Sequence, residues 1–138
     1  MPAVEVVFYK DVDNTVPVRD WFAELRRRQP RAFAKCQVRI ERLAEVGYEL
    51  RRPEADFLRD GIHELRIRFG TVNYRILYFF QGQTAAVLAH ALTKEAAVPS
   101  RDIDRAIEQM GKFLADPHKR TYRESVVENA EEDVEDDQ

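Results

Sequence analysis

The sequence predicts an α+β domain of element order β-α-α-β-β-β-α, an antiparallel sheet with an N-terminal helical hairpin and a C-terminal helix. Three observations predict it. Between Gly61 and Pro99 lie three apolar runs with short turns between them; Val18 to Leu43 carries two helical stripes hinged at Pro30; and a further stripe follows Pro99.

The elements follow in order. Ala3 to Tyr9 alternates Val4, Val6 and Phe8 with Glu5 and Val7, which is a short strand. The cluster Asp11 to Thr15 is a turn, and Pro17 suits a first helical position. Val18, Trp21, Phe22 and Leu25 then form one stripe; Phe33, Cys36, Ile40 and Leu43 form the next, with Gly47 placed to end it. The outer side of this hairpin is basic, from Arg26 to Arg42. Tyr48 to Asp60 lacks periodicity and is expected to be irregular, with Phe57 and Leu58 pegging it to the core. Ile62 to Phe69 puts His63, Leu65, Ile67 and Phe69 on one face, and Glu64, Arg66 and Arg68 on the other. Gly70-Thr71 is a turn, Tyr74 to Phe80 a central strand, and Thr84 to Leu92 a strand apolar on both faces. Ile103, Ile107, Met110 and Leu114 make the expected buried stripe of the last helix, which Asp116-Pro117 stops.

A chain of 138 residues is expected to form one domain, here residues 1–121, followed by an acidic tail over 122–138. The tail sets eight carboxylates against Arg123, so the rest of a chain of net charge −3 is mildly basic, at +4. Such a tail is expected to lack packed structure and to compete with any polyanion for the basic body. With no apolar run of about 18 residues and a single cysteine, Cys36, the chain reads as a soluble protein of a reducing cytoplasm. Cys36 lies on an apolar stripe and reads as core, as do His63 and His90. Neither a metal-ligand spacing nor a glycine-rich phosphate loop is present, so no cofactor is expected.

The runs GIHELRIRF, NYRILYFF and VLAHALTK, in that order before Pro99, resemble the toxins of the RelE/ParE superfamily, and most closely their HigB-like members. The resemblance covers about residues 3–115. It implies a small fold like that of the microbial ribonucleases, cleavage of messenger RNA on the ribosome, and neutralisation by an antitoxin, expected to be a helix-turn-helix protein of the HigA kind. Cleavage by the RNA's own 2′-hydroxyl needs a base, an acid, and cations at the phosphorane. Arginine meets only the third need, because its pKa stays above about 12.

Glu64, Arg66, Arg75, Lys94 and His118 are therefore the catalytic candidates. Arg66, Arg68, Arg75, Tyr78 and Tyr122 are the candidate RNA contacts. Arg66, Arg75 and Lys94 rest on positions where the resemblance places basic residues, and His118 on its place near the C-terminal end. Truncating Arg75 is expected to abolish activity while leaving the melting temperature nearly unchanged. One departure stands out: Glu95, Ala96, Ala97 and Val98 follow Lys94 where the pattern has further basic residues. This favours two rival readings, a ParE-like inhibitor of DNA gyrase and a catalytically weak relative that only binds its antitoxin.

Overall fold

The computed structural model describes residues 2–93 and 96–123. Lys94 and the acidic stretch 124–138 lie outside the described residues. Strand β1 (Glu5–Tyr9) leads into helices α1 (Pro17–Arg28) and α2 (Pro30–Val46) and a single 3₁₀ turn at Gly47–Glu49. Strands β2 (Ala55–Arg59), β3 (Ile62–Phe69), β4 (Val72–Gln81) and β5 (Ala85–Thr93) follow. Helix α3 (Ser100–Ala115), the short α4 (Pro117–Arg120) and β6 (Thr121–Tyr122) end the described chain.

Both early helices start on a proline, whose fixed φ is already helical and whose missing N–H would have no partner in a first turn. Pro30 also ends α1, because the residue before a proline is driven out of the helical region; Gln29 sits at φ −140°, ψ 71°. Helix α2 stops at Gly47, at φ 62° and ψ −127°. That conformation belongs to glycine, and an added Cβ would lie 3.3 Å from both Ala3 and Val4.

The six strands form one sheet in the order β2-β3-β4-β5-β1-β6. Helices α1 and α2 cover one face, over a core that includes Phe22, Cys36, Leu43, Leu65, Ile76 and Leu88. Helix α3 covers part of the other face, over Val7, Leu77, Phe79, Val87, Ala106 and Phe113. The result is three layers with an α+β architecture. Burial pushes the Cys36 thiol up to about 12, so it is a protonated core group.

The structure differs from expectation at four places. Residues 55–59, expected to be irregular, form the edge strand β2, paired with β3 through Ala55↔Leu65 and Asp56↔Glu64. Phe57 does not peg this segment to the core, since it is 57% exposed, whereas Leu58 does pack against the α3-side core. Strand β1 joins β5 in parallel, through Glu5↔Ala85 to Phe8↔Leu88, in a sheet otherwise antiparallel. The buried face of α3 runs through Ile103, Ala106, Gln109 and Phe113, leaving Leu114 61% exposed. Its centre is the small Ala106, which is fully buried. Finally, Tyr122 pairs with Phe8 and so belongs to the folded body, not to the tail.

His63 lies as expected among apolar groups, stacked on Tyr78 and edge-on to Phe57 and Phe80. Burial, and then the charge of Arg51, lower its pKa from the ordinary 6.5. As pH falls through 6.5 the unfolded chain takes up the proton first, so stability is full above that value and declines below it. Urea midpoints should therefore drop between pH 7.5 and pH 5, and should drop less in His63→Phe. Equal declines in the two proteins would remove His63 as the cause.

Candidate functional site

The register of β3 and β4 places Arg66 directly opposite Arg75. Like charges so placed repel, and the arrangement holds because Glu64 lies between them. Arg75 Nη1 donates to Glu64 Oε2 at 2.8 Å, and Arg66 Nε stands 3.7 Å from Glu64 Oε1. Each carboxylate oxygen thus faces its own guanidinium. Glu64 is 3% exposed and Arg75 7%, whereas Arg66 is only half-buried. A buried pair of this kind need not add net stability, but removing either partner leaves an uncompensated buried charge. The expectation that Arg75 could be truncated at no cost to the fold is therefore revised.

Strand β2 adds the next layer. Asp56 faces Glu64 across the β2–β3 ladder, and Arg52 offsets the carboxylate by donating twice to Asp56 Oδ2, at 3.1 and 2.8 Å. These bonds hold the Asp56 carboxyl below its usual range. Arg52, Asp56, Glu64, Arg66 and Arg75 line a cavity of about 490 Å³, closed on the α3 side by Val98 and Ile103. Arg52 and Asp56 were missed in the sequence. The signal was the four-residue spacing of opposite charges in RRPEAD.

Beyond Arg66, Arg68 is exposed and opposite Asn73, its Nε donating to the Gly70 carbonyl at 3.2 Å. Here β2 has ended, and basic side chains of α2 satisfy the outer edge of β3. Lys35 Nζ donates to the Arg68 carbonyl at 2.9 Å, and Arg39 donates to that of Arg66. Part of the basic hairpin face therefore fastens α2 to the sheet.

Among the described residues, the other expected site residues do not line this cavity. Tyr78 is 1% exposed and lies in the core beneath α1 and α2. It is corrected from RNA contact to core residue, because it alternates with Arg75 and points to the opposite face. Tyr122 lies on β6, three strands from β4, or roughly 14 Å away at the usual strand spacing. There its ring packs against Phe8 and carries the Arg19 guanidinium at 4.8 Å. His118 is exposed on α4, beside β6. Neither residue lines the cavity that holds Glu64 and Arg75. His90, expected to be a core residue, is instead only part-buried, its Nε2 lying 2.8 Å from Asp102 Oδ1 of α3.

A carboxylate divided between two arginines on the central strands of such a sheet can exchange one anion for another. A phosphate entering the cavity offers the guanidinium forks the same acceptor geometry as Glu64. The three-layer body that carries it is of the RelE-like α+β class. The chain belongs to the Gp49-like family of phage derived proteins (DUF891), which matches residues 20–112, from within α1 to within α3. The family stands in a toxin context of the RelE/HigB kind. No curated protein matches the sequence. Among the described residues, no helix is long and apolar enough to cross a membrane.

The buried pair makes a prediction about stability. Arg75→Met should lower the unfolding free energy by about 3 kcal/mol, and adding Glu64→Leu should restore much of it. Urea unfolding of the two single variants and the double variant measures the coupling. Losses that simply add would show that the two side chains do not support one another.

Proposed function

We propose that this chain is the toxin of a type II toxin–antitoxin pair, a HigB-like endoribonuclease that cuts messenger RNA on the ribosome in the cytoplasm and is held inactive by a cognate antitoxin. The observation that carries the reading is the division of Glu64 between Arg75 and Arg66 on the wall of an open cavity. Family membership supports it.

In this reading the scissile phosphate takes over the donors of Arg75 and Arg66, which releases Glu64 to accept the 2′ proton. The arginines then stabilise the charge gathering on the phosphorane. The 2′ oxygen closes onto phosphorus as the 5′ oxygen leaves, so the reaction draws on positioning and electrostatics supplied by the chain's own side chains. Lys94 is carried over from the resemblance as a further cation for the phosphate.

The test is induction of the chain in growing cells, with 5′ ends of transcripts mapped and replication followed in parallel. New message ends within minutes are expected, and co-expression of the antitoxin should suppress them. Arg75→Lys keeps the charge but not the fork, and should reduce cleavage about 100-fold while the protein stays folded by circular dichroism. Arrest of replication with messages intact would replace this reading by the gyrase inhibitor. Antitoxin binding with neither effect would leave the inactive relative.

A further inference from the structure

A second cavity, of about 350 Å³, opens where β3 loses β2 as a neighbour; Lys35, Arg39, Arg68 and Asn73 line it together with Arg66 and Arg75. Among the described residues, no carboxylate contributes to its lining. Arg66 and Arg75 thus line both cavities, one holding Glu64 and Asp56 and the other only cations and neutral groups. Lys35 and Arg68 are exposed, and each uses a donor on a backbone carbonyl, leaving further N–H groups for a ligand.

We infer that the all-cationic cavity binds the RNA strand on the 3′ side of the cut, through its first downstream phosphates. The inference rests on the reading of Glu64 as base. A phosphate held at the shared arginines has the Glu64 cavity on one side and the cationic cavity on the other. Entering and leaving oxygens lie roughly in line across phosphorus. The 2′ oxygen gives its proton to Glu64 and bonds phosphorus. The bond to the 5′ oxygen breaks on the far side, and that oxygen takes a proton from solvent; Glu64 afterwards returns its own to solvent. The nucleotide that departs, with everything downstream of it, therefore leaves toward Lys35, Arg39 and Arg68. The charged groups lining the cavity are cations, of which Arg39 is also paired with Glu54 at 3.7 Å, and Asn73 adds a neutral donor and acceptor for a chain of phosphates.

The experiment couples one side chain to one phosphate. Messages bearing a single methylphosphonate linkage, which removes one charge, are presented on ribosomes to the full chain. The linkage is stepped from two positions upstream to three positions downstream of the mapped cut. Neutralising the first or second downstream linkage should lower kcat/KM about tenfold, the worth of one charge-assisted hydrogen bond. In Arg68→Ala the same neutralisation should cost little more, because its partner is already gone. Lys35→Ala, checked by its melting temperature, should show the same non-additivity one linkage away. Coupling of Arg68 to upstream linkages, or to none, would overturn the inference while leaving the ribonuclease reading intact. If the wild-type chain cuts no message on the ribosome, the ribonuclease reading falls, and this inference falls with it.

Discussion

The structure depends on one buried electrostatic arrangement, the hold of Arg75 and Arg66 on Glu64. Two arginines facing each other on adjacent strands would push β3 and β4 apart at the centre of the sheet. A carboxylate inserted beside them turns that repulsion into a bridge. The bridge also presents its guanidinium groups to a cavity. Because desolvation makes an unpaired charge there expensive, the cluster is under pressure to accept another anion whenever one displaces Glu64. The same constraint thus keeps the strands together and prepares the site.

The layers around the cluster explain why it is open. Helices α1 and α2 pack against the face carrying Tyr74, Ile76 and Tyr78, and α3 covers Leu77, Phe79, Val87 and Ala89 on the other. Arg66 and Arg75 lie at the margin of α3, where only Ile103 of that helix, with the segment 96–98, lines the cavity beside them. Since β2 ends before it can cover the outer edge of β3, side chains of α2 supply the missing donors there. An element of the opposite layer therefore brings its charge to the rim of the site.

Much of this was legible in the sequence, for physical reasons that differ by element. Prolines at 17 and 30 and the glycine at 47 mark the helical hairpin because each restricts the backbone locally. The alternation in Glu64, Arg66 and Arg68 marks the polar face of β3 because side chains on a strand alternate. The same rule carried a signal that was passed over. Arg75 and Tyr78 differ in parity and so could not share a face. Strand β2 was hidden because only Ala55 is buried in it, while Phe57 is exposed and Asp56 makes sense only opposite Glu64 and beside Arg52. The separation of His118 and Tyr122 from the cluster depends on β6 joining β1 at the far edge, a long-range pairing that local periodicity does not carry.

The parallel pairing of β1 with β5 has a consequence for when the molecule becomes competent. Residues 5–8 find their partners at 85–88, so β1 must wait for the strands that follow it before it can pair with β5. The hairpins from β3 to β5 close over short loops, but both cores take residues from β1: Phe8 on one side, Val7 and Tyr9 on the other. Closing so long a loop is slow and comes after the local contacts. A nascent chain whose residues 85–88 are still inside the exit tunnel would lack a finished sheet, so both cores close only after β5 has emerged.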